Sequence, residues 1–169
     1  MEISFSKGDF PMTWRGSTDT KDRIFSVLVY LIAVMYALPF GRYLFVQFPE
    51  LQKDLNFILS PLLSIYKNVP FAGMIIFFVL FLAVVRNPRV SHFLRFNTMQ
   101  TILLTIGLFL LELLLGILAR PLSGLIVQTL SNTVFLGVLG ICVYSMVQSA
   151  LGRYAEIPSL SDAVYNQVR

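Results

Sequence analysis

One acidic residue, Glu112, lies inside the most hydrophobic stretch of the sequence, the segment IGLFLLELLLGIL at 106–118. An ionised carboxylate in such surroundings is costly unless it is protonated, paired or in contact with water. Glu112 therefore indicates either a relay for protons or cations along a hydrophilic path, or a hydrogen-bonded glutamate that fixes helix packing. The sequence favours the packing role, because no second buried acid or base lies within the apolar stretches to pass a proton on.

A basic block, RNPRVSHFLRFNTMQ, occupies residues 86–100. Its apolar side chains can face the membrane while Arg89, His92 and Arg95 face water or phosphate, which predicts a short amphipathic helix along the interface around 89–95. The block could bind anionic lipid headgroups or a partner, or serve only as a signal for orientation in the membrane. The candidate partner-facing or lipid-facing residues are Arg86, Asn87, Arg89, His92, Arg95, Asn97 and Gln100.

Residue types that build enzyme sites are scarce. The chain has one cysteine, Cys142, and one histidine, His92. An intramolecular disulfide is therefore impossible, and a thiolate metal cage or a haem held by two histidines is not expected. Glycine-rich phosphate loops, nucleophile elbows and zinc-binding helix motifs are absent from the sequence. We expect neither catalysis nor a cofactor or metal ion.

The composition is that of a protein solvated by lipid. Of 169 residues, 56% are hydrophobic and 13% are charged, and the mean hydropathy is +0.75. Four unbroken apolar runs, at 24–45, 69–85, 99–119 and 133–151, are each long enough, or nearly so, to cross a bilayer core of about 30 Å as a helix. The net charge of +4 is expected to set topology and attract anionic lipid rather than to bind nucleic acid.

The predicted fold class is all-α: a bundle of four transmembrane helices with short interfacial helices. A polar segment, 1–23, precedes the membrane domain at 24–151, and a tail, 152–169, follows it. Residues 55–66, interrupted by Pro61, are too few to span and predict an interfacial or re-entrant segment. Nine of the 13 lysines and arginines fall in the N-terminal segment, the middle loop and the tail. This distribution predicts that both termini are cytoplasmic or stromal.

Small residues recur at every fourth position in two of the runs. Ala33, Ala37 and Gly41 share one face of the first helix, which predicts close approach of another helix and offers a seam for assembly. In the fourth run the same spacing, with Ile141 as the exception, predicts a second contact stripe. Its members are Thr133, Gly137, Ser145 and Ser149.

Four sequence blocks together resemble a known family. They are TWRGSTDTKDRIF, ALPFGRYL, VVRNPRVSHFLRFNTMQTILL and AEIPSLSDAVYNQVR. The chain resembles, over nearly its whole length, the twenty-kilodalton subunit of the translocon at the inner envelope membrane of chloroplasts, in its cyanobacterial or plastid-encoded form. The resemblance implies four membrane helices with both termini stromal or cytoplasmic, in a cyanobacterial plasma or thylakoid membrane or the plastid inner envelope. The matching signature residues are Arg86, Asn87, His92, Arg95, Phe96, Asn97 and Gln100.

The resemblance implies a core membrane subunit that contributes to a protein-conducting path. Its expected partners are other translocon subunits or further copies of itself, the translocating polypeptide, and anionic lipids. Four helices alone rarely enclose a channel wide enough for a polypeptide, so oligomers or other subunits are implied. Two alternatives stay open. One is a transporter of small solutes or ions with Glu112 in its path, and the other is a non-conducting scaffold that recruits assembly factors through Arg86, Arg89 and Arg95.

Overall fold

The computed structural model describes residues 18–118, 124–158 and 160–168. Throughout these residues the regular structure is helical, which confirms the all-α prediction for them. The elements in chain order are α1 (Thr20–Ala37), a 3₁₀ turn (Leu38–Gly41), α2 (Arg42–Gln47), α3 (Pro49–Asn68), α4 (Ala72–Phe78) continued by a π-helix (Val79–Val85), α5 (His92–Leu118), α6 (Gly124–Ala150) and α7 (Leu160–Gln167).

Three stretches of the described chain are long and apolar enough to cross a membrane: Thr20–Gln47, His92–Leu118 and Gly124–Ala150. The pair formed by Pro49–Asn68 and Ala72–Val85 is bent by 108° and adds a fourth if it is counted as one broken span. The predicted runs overlap these stretches; residue 119 of the third run lies outside the described residues, and residue 151 of the fourth follows the end of α6. Two of the helices begin earlier than predicted. α5 begins at His92 rather than at residue 99, and α6 begins at Gly124 rather than at residue 133.

The first helix lies at the centre of the bundle, packed against both α5 and α6. Tyr30 of α1 is hydrogen-bonded to Asn97, near the start of α5, whereas Pro39 beyond α1 shares a cavity with Leu115, near the end of α5. These two helices therefore run parallel. α6 runs antiparallel to them, because its last turn reaches Asn97 through Ser149 while Phe135 lies beside Gly41.

Both described ends of the chain lie at one end of the bundle, which we call the terminal end. A Cβ atom added at Gly152 would lie 2.7 Å from Thr18 Oγ1, so the residues before α1 and those just after α6 are close in space. α7 returns to pack on α5, where Val164 and Val168 join a cluster with Phe96. The opposite end, which carries Gly41 and the 3₁₀ turn, is the distal end.

The segment between α2 and α5 carries the chain from the distal end back to the terminal end. α3 is amphipathic, with an exposed Glu50–Lys53 ion pair of 2.7 Å and one fully buried leucine, Leu59. Pro61 lies within α3 without ending it. At the terminal end, Arg95 Nε donates to the carbonyl oxygen of Val85 at 2.8 Å, which joins the end of the π-helix to the first turns of α5.

The prediction of a separate amphipathic helix around 89–95 is wrong. Residues 86–91 form turns, in which the amide of Val90 donates to the carbonyl of Asn87. The π-helix ends at Val85. Pro88 disfavours helical conformation at Asn87, so the helix does not continue through the block, and a new helix begins at His92. From His92 onward the block is the first part of the long helix α5.

Of the predicted stripe on α6, Ser145 and Ser149 are buried, whereas Thr133 and Gly137 are exposed within this chain. A strict spacing of four advances by about 40° per step on a helix of 3.6 residues per turn, so the stripe drifts off the contact face. The face that packs on α1 alternates steps of three and four; it comprises Ser131, Phe135, Val138, Cys142, Ser145 and Ser149.

The stripe on α1 lies inside the bundle. Ala33 is 0% exposed and Ala37 is 1% exposed, and Gly41 is also buried. A Cβ atom at Gly41 would come within 2.6 Å of the Phe45 ring and 3.0 Å of the Phe135 ring. The small residues on this face therefore admit α6 of the same chain, and the face is not free for a second copy.

Candidate functional site

The family-like block builds a buried polar cluster at the terminal end, which we call the Asn97 hub: Asn97, Ser26, Tyr30 and Ser149. Asn97 is 0% exposed. Its Oδ1 accepts from the Tyr30 hydroxyl at 2.9 Å and from Ser149 Oγ at 3.2 Å. Its Nδ2 donates to Ser26 Oγ at 3.3 Å and to the Phe93 carbonyl at 2.9 Å. One amide thus joins α1, α5 and α6.

Neighbouring residues of the block hold the tail. His92 Nε2 donates to the carbonyl of Val168 at 3.1 Å, and its Nδ1 lies 3.0 Å from the hydroxyl of Tyr154. Gln100 Nε2 donates to the carbonyl of Ala155 at 3.1 Å. The Tyr154 ring also packs edge-on against Phe93 and Phe96. These contacts fix residues 154–168 against the terminal end of α5.

The prediction that the whole block faces lipid or a partner is wrong for Asn97 and Gln100, both 0% exposed. Their amides are directed inward because the first turns of α5 are surrounded by α1, α6 and the tail. His92 and Arg95 are half-buried and hydrogen-bonded within the chain. The remaining members differ. Arg86 and Arg89 are exposed, and half-buried Asn87 accepts from the amide of Arg89 through its Oδ1.

A cavity of about 770 Å³ occupies the distal end, which we call the distal cavity. It lies between the end of α1, the 3₁₀ turn, α2, α3 and the distal part of α5, and it is half open to the surroundings. Most of its wall is apolar, with polar groups from separate elements converging on it. The lining residues with polar or charged side chains are Tyr36, Arg42, Gln52, Asn56, Tyr66 and Glu112.

Glu112 and Arg42 are the two charged residues of the distal cavity. They also line a smaller neighbouring cavity of about 240 Å³, together with Pro39 and Ser131. Both are exposed. Arg42 donates to the Tyr43 hydroxyl at 3.1 Å and stacks on its ring. In the part of the chain that the structure describes, Glu112 makes neither an ion pair within 4 Å nor a hydrogen bond.

Two tyrosines close one side of the distal cavity. The Tyr36 and Tyr66 hydroxyls are hydrogen-bonded to each other, and the two rings meet edge to face at 5.8 Å between centroids. A Cβ atom at Gly73 would lie 2.2 Å from the Tyr66 hydroxyl oxygen. A side chain at this position would displace the tyrosine hydroxyls, because the first turn of α4 lies directly against the pair. These contacts secure the end of α3 against α1 where the chain bends into α4.

Sequence reasoning located Glu112 but missed its neighbours. Arg42 was recognisable only as a charge near the end of a span. Gln52 and Asn56 carried a usable signal, since their spacing of four places both on one flank of an amphipathic helix. Among the described residues, no group of three histidine, cysteine, aspartate or glutamate side chains could hold a metal ion. Cys142 is fully buried on α6.

Comparison with known proteins identifies the family. Residues 4–164 match the family described as "Chloroplast import apparatus Tic20-like". A Tic20 family protein of Synechocystis sp. is 49% identical over 160 residues, covering 94% of this chain and 99% of the relative. Protein TIC 20-v, chloroplastic, of Arabidopsis thaliana is 34% identical over 165 residues, covering 96% and 76%. Tic20 family protein Ycf60 of Gracilaria tenuistipitata var. liui is 35% identical over 157 residues, covering 87% and 75%.

These matches confirm the resemblance given by the sequence blocks. They also agree with the predicted location, because the relatives are cyanobacterial and plastid proteins and the chain carries helices able to span a membrane. The chain belongs to the Tic20 family.

Proposed function

We propose that this chain is a membrane subunit of a protein translocon and contributes part of a protein-conducting path together with partner subunits. The family description, "Chloroplast import apparatus", supports this role. The observation that carries the proposal is the distal cavity, where Arg42, Asn56 and Glu112, from three different elements, present polar groups within an otherwise mostly apolar wall. Such a cavity gives an extended polypeptide a polar surface inside the membrane.

The proposed topology has four crossings with both termini on the cytoplasmic or stromal side. Parallel packing of α1 and α5 supports it, because the chain between two parallel spans must cross the membrane once in the opposite direction. Ala72–Val85 would make that crossing, and its 14 residues reach about 21 Å. Because α3 is bent by 108° from this segment, α3 would lie along the opposite interface. The surplus of lysine and arginine at the terminal end supports the orientation.

The chain needs partners to form a complete path. At the terminal end the Asn97 hub and the tail fill the space between the helices, and the distal cavity is half open to the surroundings rather than enclosed. A path that includes the cavity must therefore be completed by another subunit or a second copy. This arrangement agrees with the expectation that four helices alone rarely surround a polypeptide.

Site-specific crosslinking tests the proposal. A photoreactive amino acid at Leu63 or Phe109 would face the distal cavity, and one at Tyr144, exposed on α6, would serve as the matched control. A preprotein arrested during transport in native membranes should crosslink to the two cavity positions and not to Tyr144. Equal crosslinking at all three positions, or at none while transport proceeds, would contradict the assignment.

A second candidate, a transporter of small solutes or ions, is favoured by one observation: Glu112 has no partner in the described chain although it lies in an apolar helix. Replacing it with glutamine removes the charge and keeps the shape. If liposomes with the wild-type protein conduct and those with Glu112→Gln do not, Glu112 belongs to a transport path. Absence of any flux from the wild-type protein would remove this candidate.

A third candidate, a non-conducting scaffold, is favoured by the exposure of Arg86 and Arg89 at the terminal end. Both arginines present charge at the surface of the described chain, with Arg86 also over the Phe81 ring at 5.9 Å, whereas Arg95 is engaged with the Val85 carbonyl. Charge reversal of Arg86 and Arg89 followed by co-purification separates the roles. Loss of partners with intact flux favours the scaffold role.

A further inference from the structure

The crossing formed by Ala72–Val85 is short for a membrane helix. It consists of seven α-helical and seven π-helical residues, which reach at most about 21 Å, because a π-helix advances less per residue than an α-helix. The stretches Thr20–Gln47, His92–Leu118 and Gly124–Ala150 have 28, 27 and 27 residues and reach about 40 Å each. The hydrocarbon core of a bilayer is about 30 Å thick. The short segment therefore does not match the membrane that the other helices fit.

Contacts at its two ends indicate the depth that the segment covers. The start of α4 lies against Tyr36, since a Cβ atom at Gly73 would be 2.8 Å from the Tyr36 hydroxyl oxygen. The end of the π-helix is hydrogen-bonded to Arg95. The Tyr30–Asn97 hydrogen bond aligns α1 with α5; Tyr36 lies six residues beyond this bond on α1, and Arg95 lies two residues before it on α5. Along the bundle the two ends are thus about 12 Å apart, to which the side chains add their own reach. This depth is well below the thickness of a bilayer.

The bend before the segment is fixed by local structure. Phe71 has a φ of 57°, a left-handed conformation that residues other than glycine rarely adopt. Pro70 lacks the amide hydrogen that a continuous helix needs. The tyrosine pair at the distal cavity holds the end of α3 against α1. α3 also carries charges at both ends, in the Glu50–Lys53 pair and at Lys67, which keep it at the polar interface. α3 therefore cannot straighten into the membrane and lengthen the crossing.

The short segment is exposed along its length in the described chain. Met74, Val79 and Leu82, near its start, middle and end, each have more than half of their surface exposed. The exposed apolar surface of α6 is taller, because Leu125 and Val147 are both exposed and lie 22 positions apart, about 33 Å along the helix. The apolar surface thus has the height of a bilayer on the side of α6 and about two-thirds of that height on the side of α4.

We propose that the bilayer is locally thinned where it meets Ala72–Val85, to about 20 Å of hydrocarbon instead of about 30 Å. A short segment is accommodated by thinning of the bilayer, by snorkelling of flanking side chains or by another protein chain that covers it. Lys67 and Arg86 flank the segment and are exposed, but α3 holds the polar boundary beside Lys67, so snorkelling leaves most of the difference. The proposal rests on the four-crossing topology of the proposed function and deepens that function, because a polypeptide that passes along this face has a shorter apolar barrier to cross.

Spin labels in the full-length protein test the proposal. Val79→Cys places a label at the middle of the short segment, and Leu136→Cys places one midway between Leu125 and Val147 on α6, with Cys142→Ala in both proteins. Val79 and Leu136 are 54% and 52% exposed and so form a matched pair. Each protein is reconstituted at low density into phosphatidylglycerol vesicles with short, medium or long acyl chains. Electron paramagnetic resonance then gives the depth of the label from its relative access to oxygen and to a water-soluble nickel chelate.

In vesicles of medium chain length, the label at Val79 should lie about 10 Å from the polar interface and the label at Leu136 about 15 Å, half of the respective thicknesses. Longer acyl chains should deepen the label at Leu136 and leave the label at Val79 where it is. Replacing both flanking charges, Lys67→Leu with Arg86→Leu, should let the Val79 label move deeper. Arg89→Leu, which changes an exposed arginine outside the segment, is the matched control.

A second label guards against local disturbance of the helix: Phe78→Cys, at the exposed neighbour of Val79, repeats the measurement. The proposal is overturned if the labels on the two helices lie equally deep, or if both deepen equally with acyl-chain length. It is also overturned if neither probe reaches the short segment, because protein would then cover it, or if the double variant matches Arg89→Leu. The depths require no preprotein, so they can contradict thinning while crosslinking at the distal cavity succeeds. The reverse outcome would refute the translocon role alone.

Discussion

Substitution of Asn97 by alanine should destabilise the bundle more than any other single polar substitution in α5. Asn97 makes four side-chain hydrogen bonds, of which those to Tyr30, Ser26 and Ser149 join different helices. At about 0.6 kcal/mol for an interhelical hydrogen bond within a membrane protein, these three contribute about 2 kcal/mol. Leaving the buried Tyr30 and Ser149 hydroxyls without their acceptor costs roughly another 1–2 kcal/mol. We expect a loss of about 3–4 kcal/mol in the free energy of unfolding.

Thr101→Val is the matched control. Thr101 is likewise 0% exposed and lies one turn further along α5, but its hydroxyl donates at 3.0 Å to the Asn97 carbonyl within the same helix. Its replacement removes no contact between helices and should cost less than about 1 kcal/mol. The comparison therefore isolates the interhelical part of the polar network.

The single cysteine provides the assay. Cys142 is 0% exposed on the face of α6 that packs against α1. Its rate of modification by a thiol reagent, followed through a titration from mild detergent into dodecyl sulfate, reports opening of the helices. The midpoint should fall well below the wild-type value for Asn97→Ala and stay close to it for Thr101→Val. Equal midpoints for the two variants would refute the view that the amide holds α1, α5 and α6 together.

Three further predictions concern other junctions. Gly41→Ala should cost about 1–3 kcal/mol in unfolding free energy, because the added methyl group meets two phenylalanine rings. Gly137→Ala is the control and should be neutral or stabilising, because its Cβ meets no atom within 4 Å. Thermal unfolding in detergent compares the two variants, and equal shifts in the unfolding temperature would contradict the close packing at Gly41. Tyr66→Phe removes the hydrogen bond to Tyr36 and should raise hydrogen exchange across α3 but not α6; unchanged exchange in α3 would show that the bond does not secure it. His92→Phe should expose residues 154–168 to limited proteolysis, because the bonds to Tyr154 and Val168 are lost; unaltered cleavage would show that the aromatic packing suffices.

Apolar composition predicted the helices but misplaced their starts. Hydropathy marks where a chain tolerates lipid, whereas a helix continues through polar residues that find partners inside the protein. The first turns of α5 contain Asn97 and Gln100, and those of α6 contain Ser131, all of them buried. Their environments depend on which helices pack around them, and a single sequence does not specify that packing.

The same cause explains the error in the basic block. Alternation of polar and apolar residues on a helix indicates two different surroundings, which for an interfacial helix are water and lipid. For the half of the block around Asn97 the polar surroundings are instead other helices and the tail. Only Arg86 and Arg89, which precede α5, are exposed as predicted for a charged interface.

The candidate site was half predictable for a similar reason. A carboxylate in an apolar run is visible in any sequence, so Glu112 could be singled out. That Arg42 lines the same cavity could not be predicted, because the two residues are 70 positions apart in the chain. They line one cavity only because α1 and α5 run parallel. The cavity also depends on the 108° bend between α3 and the segment Ala72–Val85. The short sequence between them does not predict the size of this bend.

The contrast between the two ends of the bundle limits where a polypeptide could pass. At the terminal end, a path between α1, α5 and α6 would require the Asn97 hub to separate, with loss of three interhelical hydrogen bonds worth about 2 kcal/mol, together with release of the tail. At the distal end, the cavity is already half open between α1, α3 and α5. Displacement of α3 would break few contacts with the rest of the bundle. Conduction through the centre of one chain is therefore disfavoured. A path along the side of the chain leaves the hub intact. Such a path would continue from the distal cavity across a surface shared with a partner, and crosslinking probes in the cavity would detect it.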